Sequence, residues 1–246
     1  GTATGRQLAT GGLIAGTDLG QSFTLRYAGG TGLTGAWSVA HSSGAALHVG
    51  GPATLGADYH LDVLDNGLEM LDVDLDLEAN AGVRLAGNGG LAACDLDLAT
   101  AGSHQLELES NVAASLTTRL HGVGAVTLSL RSNDVASGDL ELDVGNLQLY
   151  DELGRYGSLV FALLSAATGN PDYALDLASG TIAEDLTLTA MDGENGRLTF
   201  GLDGMTIGGD VTMSARYEAN FEFDGLTVGG DATVTLQSNV TDLTQT

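Results

Sequence analysis

From Leu71 to Glu78 the chain reads Leu-Asp-Val-Asp-Leu-Asp-Leu-Glu, a strict alternation of apolar and anionic side chains. Successive side chains of a strand point to opposite sides of the backbone, so the pattern specifies a strand with one dry face and one negative face. It returns at Cys94-Asp95-Leu96-Asp97-Leu98, at Glu107 with Glu109, and at Asp139, Glu141 and Asp143. A chain built this way is all-β, and Cys94, which shares the parity of the leucines, points inward as an inert thiol.

From Ser22 onward, short candidate strands are separated by Gly, Asn, Asp or Ser clusters at intervals of about ten residues, the spacing of a sandwich, a barrel or a solenoid. Tyr59 to Leu64, Leu68 to Ala79, Gly82 to Ala86 and Leu91 to Ala99 are typical. Aromatic residues make up only 5 % of the chain, so the core falls to Leu, Val, Ala and Ile, which suit thin regular layers. The 37 glycines, against two prolines, supply the turns that many short strands require.

The clearest internal repeat matches Asp203-Gly204-Met205-Thr206-Ile207-Gly208-Gly209-Asp210-Val211-Thr212-Met213 with Asp224-Gly225-Leu226-Thr227-Val228-Gly229-Gly230-Asp231-Ala232-Thr233-Val234, 21 residues later. A weaker copy begins at Ser179, 24 residues before Asp203. Periods of this length match one coil of a β-solenoid, in which no coil buries its apolar side alone. The expected fold is a glycine-rich, elongated β-solenoid or long stacked sheet, with an antiparallel β-sandwich as the alternative.

With its Gly-Gly-Asp turns, alternating Leu, Val and Thr, and lack of lysine, the chain resembles the repetitive β-rich, β-helix-like regions of secreted bacterial adhesins and filament-forming surface proteins. The likeness is densest between Tyr173 and Leu236. It implies an extracellular, structural or adhesive role, often as a self-assembling polymer, and no catalytic residues.

Between Tyr150 and Pro171 the alternation fails. The run Ser158-Leu159-Val160-Phe161-Ala162-Leu163-Leu164-Ser165-Ala166-Ala167 fits a short helix over 158–168, with Ser158 as N-cap and Gly169-Asn170-Pro171 as its stop, or else a buried strand. This divides the chain into a β-rich half over 1–150, a packing or capping segment over 151–172, and a second β-rich half over 173–246.

The chain has 32 Asp plus Glu against eight arginines and no lysine, a formal charge of −24. Such a charge repels nucleic acid and anionic membranes. The absence of lysine removes the Walker phosphate lysine and Schiff-base chemistry. The longest apolar stretch, Leu159 to Ala167, is too short to span a bilayer.

The strongest candidate site is the acid ladder. Asp72, Asp74 and Asp76 share one strand face, and Asp95 and Asp97 repeat the arrangement on a later strand. Between sheet neighbours, carboxylates approach to about 5 Å, where like charges are destabilising. Two readings remain: a solvated acidic face with staggered strands and screening by salt, or calcium, which takes six to eight oxygen ligands and makes these five aspartates its candidate ligands across strands or subunits. They do not form an EF-hand, because Leu77 stands where that loop needs glycine and Val83 where it needs glutamate.

Other motifs lead nowhere catalytic. Gly30-Thr31-Gly32-Leu33-Thr34-Gly35 satisfies GxGxxG, but a strand rather than a helix follows it. The histidines His41, His48, His60, His104 and His121 lack zinc spacing. No GxSxG elbow is present. The expectation is therefore not an enzyme but an extracellular or cell-surface structural subunit that self-assembles with copies of itself into a filament, sheath or matrix. The alternative is a calcium-dependent adhesin or glycan-binding β-domain, with a polysaccharide or a cell surface as partner.

Overall fold

The structure, a computed structural model, describes residues 2–5, 11–15, 23–27, 36–40, 42–55, 59–78, 80–98, 101–164, 171–190, 196–216, 218–236 and 242–245. Every regular element among them is a β-strand. The strands form sheets of 15 and 11 strands, and the chain passes from one sheet to the other and back on each turn. Strand pairs are parallel throughout, as in Gly67–Leu77 on Gly89–Leu98 and Asp172–Ala178 on Arg197–Asp203. The one antiparallel contact among the described residues is an isolated bridge between Arg131 and Leu153.

The chain is thus a parallel β-solenoid of about eight turns. In the larger sheet, register steps lead from Ser43 through Gly67, Gly89, Val112, Asp134, Arg155, Thr181 and Thr206 to Thr227. Parallel neighbours need a long crossover between them, and here that crossover is a strand of the opposite sheet. The repeat seen in the sequence is one such step, since Thr206 lies opposite Thr227. The weaker copy is corrected by one residue: Thr181 lies opposite Thr206, and Ala178 opposite Asp203, an offset of 25 rather than 24.

The core lies between the sheets and follows the predicted parity. Leu71, Val73, Leu75 and Leu77 are buried while Asp72, Asp74 and Asp76 face outward. Each fully buried leucine contributes roughly 1.5–3 kcal/mol. Apolar side chains stack from turn to turn, for example Leu75, Leu96, Leu120, Leu142 and Leu163. Further along, aromatics fill the space. Phe161 meets Phe200 edge-on at 6.0 Å, Phe200 meets Phe221 at 6.4 Å, and the inward positions Ala190 and Ala215 make room.

Of the two readings of 150–171, the strand is the one that forms. Arg155–Leu163 lies in register on Asp134–Asp143, with Leu159, Phe161 and Leu163 inward. Ser158 caps no helix, and its hydroxyl lies 3.4 Å from that of Ser137 one turn back. A backbone ladder on both sides and three buried large side chains outweigh any helical preference of this run. Residues 165–170, the GxGxxG loop over 30–35 and His41 lie outside the described residues.

One corner recurs with a fixed backbone. Asp65, Gly87, Ser110, Ser132, Ser179, Gly204 and Gly225 all take positive φ, between 51° and 66°. The residue after each turns inward, and in four successive turns it is a buried asparagine: Asn66, Asn88, Asn111 and Asn133. These amides form a ladder along the solenoid axis. The Ser42 N–H donates to Asn66 Oδ1 (2.9 Å), Asn66 N–H to Asn88 Oδ1 (3.2 Å), Asn88 N–H to Asn111 Oδ1 (3.0 Å) and Asn111 N–H to Asn133 Oδ1 (2.9 Å). Each Nδ2 reaches back to the previous turn, Asn88 to Val63 O (2.8 Å) and Asn111 to Leu85 O (2.7 Å). The ladder stops at Gly154, where a Cβ would run into the Asn133 backbone.

Candidate functional site

The five aspartates expected to hold calcium lie on two adjacent strands, and the register sorts them. A shift in pairing between Leu71 and Asp72 sets Asp74 opposite Asp95 and Asp76 opposite Asp97, but leaves Asp72 opposite Ala93. Asp72 is instead held by His48 one turn earlier, at 3.0 Å from Nδ1. One carboxyl of each facing pair is raised, by burial ahead of any neighbouring charge. The carboxyl of Asp76 is pushed above the usual range by partial burial and then by the charges of Asp97 and Asp74. Asp95 is raised as well, by burial first, with Arg119 opposing and Asp74, Asp97 and Glu141 reinforcing the shift.

Much of the remaining acid is matched within the protein. The Arg119 guanidinium sits between Asp95 (3.8 Å) and Glu141 (3.5 Å) of the turns on either side. Arg84 binds Glu107 at 3.1 Å and Glu109 at 3.2 Å. Arg131 reaches back to Glu109 (3.9 Å) and forward to Asp151 (3.0 Å). Arg155 faces Asp134 (3.9 Å) and Arg197 faces Glu218 (3.8 Å). His121 holds Asp143 at 3.1 Å. Each pair joins residues of neighbouring turns, so the few cations are spent on the axial contacts where carboxylates would otherwise stack. The exposed pairs, such as Arg155 with Asp134 and Arg197 with Glu218, are each worth at most about 1 kcal/mol, and together the set relieves the repulsion of the acid ladder.

Among the described residues, no group of three or more His, Cys, Asp or Glu is arranged to hold a metal ion. The facing pairs Asp74/Asp95 and Asp76/Asp97 each bring two carboxylates opposite one another, against the six to eight oxygens that calcium takes. Cys94 is buried in the core, and burial drives its thiol far above the usual range, so it is not reactive. His60 stands 3.7 Å from Asp62, and His104 is buried.

A second ladder of carboxylates lies in the C-terminal turns. The Asp210 N–H donates to Asp185 Oδ1 (2.8 Å), and the Asp231 N–H to Asp210 Oδ1 (2.8 Å). The preceding glycines permit this approach, because a Cβ on Gly209 or Gly230 would strike the same carboxylate oxygens. The Gly-Gly-Asp signature is therefore a steric and hydrogen-bonding device between turns. Sequence reasoning missed the buried asparagines, although they recur at 66, 88, 111 and 133 with nearly the solenoid period. No family model, no curated protein and no solved structure matches the chain.

Proposed function

We propose that the chain is an extracellular structural subunit that assembles end to end into a filament, sheath or surface matrix. What supports this reading is one axial step repeated through about eight parallel turns, a stack that a further copy can extend by the same contacts. Phe223, Leu226, Val228, Val234 and Leu236 are only partly covered, whereas Leu202, Met205, Ile207, Met213 and Ala215, their counterparts one turn earlier, are buried. Among the described residues the strand Ala232–Leu236 pairs with Val211–Ala215 alone, and the N–H and C=O groups of an unpaired strand edge template further pairing. A contact repeated from end to end does not close on itself and generates fibres. The acidic sides would keep neighbouring fibres apart.

Negative-stain microscopy and light scattering of the purified chain test this directly. Regular fibres of uniform width are the expected result, and Val234→Lys should abolish them by placing a charge on the open end. A monodisperse monomer at high concentration overturns the reading. The second reading, a calcium-dependent adhesive module, draws on the facing pairs Asp74/Asp95 and Asp76/Asp97. It expects calcium to raise Tm reversibly with chelator, and an unmoved Tm removes it.

A further inference from the structure

Among the residues whose side chains are described, Tyr150 is the exposed aromatic, with 62 % of its surface in water. It projects from the outer face of Asn146–Glu152, whose inward residues Leu147 and Leu149 are fully buried. Burying one face of that strand requires nothing of Tyr150. A large amphipathic ring left in solvent on an otherwise polar sheet is the kind of group that serves recognition.

The ring stands in an open groove of about 430 Å³ lined by Arg131, Tyr150, Asp151, Glu152, Asp176 and Ala178. That size lies within the range of small-molecule sites. The register explains the hollow. Tyr150 lies opposite Asp176 and Glu152 opposite Ala178, and on the next strand Gly201 lies opposite Asp176. Ala178 and Gly201 take little room, so the sheet surface beside the ring is low. Asp176 leans toward this gap, since a Cβ on Gly201 would meet its Oδ1 at 2.7 Å.

Arg131 is fixed in place as one wall. Its Nη2 donates to Asp151 Oδ1 at 3.0 Å, and Asp151, whose side chain is 2 % exposed, accepts the Leu130 N–H on its other oxygen at 2.9 Å. A buried carboxylate tied to the backbone therefore orients the guanidinium, whose Nη1 also lies 3.9 Å from Glu109, and the donors not engaged by these two acids serve the groove. This corner is also where the solenoid is irregular. The asparagine ladder ends here, and Leu153 replaces the positive-φ corner residue and bridges to Arg131.

The groove thus combines an aromatic face, a held donor and two exposed carboxylate acceptors, Glu152 and Asp176. A polyanion would meet both carboxylates, and a polycation would meet Arg131. A neutral polyhydroxylated ring uses every group: its C–H face lies on Tyr150, its hydroxyls donate to Asp176 and Glu152, and its oxygens accept from Arg131. We infer that this groove binds a neutral saccharide, one or two rings of a longer glycan. The site lies on the side of the solenoid, with the strand Arg197–Asp203 between its last lining strand, Asp172–Ala178, and Glu218–Asp224. It is therefore separate from the end proposed to assemble.

The test is carried out on the Val234→Lys chain, so that assembly and binding are read independently. Saturation-transfer NMR and calorimetry are run with neutral hexasaccharides of glucose, mannose and N-acetylglucosamine, with polygalacturonate and oligolysine as charged controls. The expected result is saturable binding of at least one neutral hexasaccharide with Kd at or below about 1 mM. Tyr150→Ala should weaken it by about tenfold or more, Tyr150→Phe should hold it within about twofold, and Asp176→Asn should weaken it by about threefold. Both positions are on the surface, so an unchanged Tm accompanies all three variants. Absence of binding to every neutral hexasaccharide, binding only to a charged control, or equal binding by Tyr150→Ala overturns the inference.

Discussion

Between Ser42 and Asn133 the turns are joined inside the solenoid by buried side-chain amides, whereas between Asp185 and Asp231 they are joined at the surface by exposed carboxylates. The difference follows from what each group can satisfy. An amide carries both donors and acceptors, so one asparagine takes an N–H from the turn before while its own Nδ2 caps a carbonyl there, and the unit repeats in a dry interior with nothing left over. A carboxylate only accepts, so it takes one N–H from the next turn and leaves its other lone pairs for water. It has to sit outside, and it needs glycine beside it to come close enough. The same axial step is thus secured by a buried, exacting link in one region and an exposed, forgiving one in the other.

The comparison breaks most sharply at Asn111. Replacing it with alanine strands Leu85 O and the Asn88 N–H in the core. Asn111→Ala should destabilise the chain by about 2–5 kcal/mol, read by denaturant unfolding. A loss below about 1 kcal/mol would mean that the buried ladder is no stronger than a surface contact.

Thr118 tests the same rule from the opposite side. Its hydroxyl is buried in the core column between Cys94 and Leu140 and has no hydrogen-bond partner. Thr118→Val keeps the shape and removes the unmet group, so it should stabilise by about 1 kcal/mol in the same assay. Asp210→Ala removes the acceptor for the Asp231 N–H at an exposed turn where water replaces it. It should lower stability by only about 0.5–1 kcal/mol. Equal losses in Asp210→Ala and Asn111→Ala would erase the distinction between the two regions.

The smallest effect concerns the carboxylates that face one another. Asp76 and Asp95 both have folded-state pKa values above the ordinary 3.8. The folded chain therefore holds protons that the unfolded chain releases just above that pH. Their contribution is fully present below 3.8 and is lost as pH rises through the raised values. Subtracting the Tm–pH profile of Asp76→Asn from that of the parent should reveal this slope, and parallel profiles would show that the pair is not strained.

Legibility in the sequence divides along the same lines. The parity of Leu71 to Glu78 placed each side chain on its proper face, because a strand allows only two directions. The period near Thr206 and Thr227 gave the length of a turn. Asn66, Asn88, Asn111 and Asn133 carry the same period, yet an asparagine beside Gly or Ser has the composition of an exposed turn, and its burial depends on what stacks above and below it. The acid ladder was legible as a charged face but not as a set of pairs. A one-residue shift beside Asp72 decided which aspartates meet, and the arginines that answer them stand a full turn away in sequence.

Local alternation, turn residues and charge were settled by the order of amino acids, because they depend on neighbours one or two positions away. Which turn lies on which, and therefore which amide finds its partner, which carboxylates oppose one another and where Tyr150 stands beside Arg131 and Asp176, was settled only when the sheets closed. Those contacts join residues some twenty positions apart, and their register is chosen by the packing of the whole stack rather than by any segment within it.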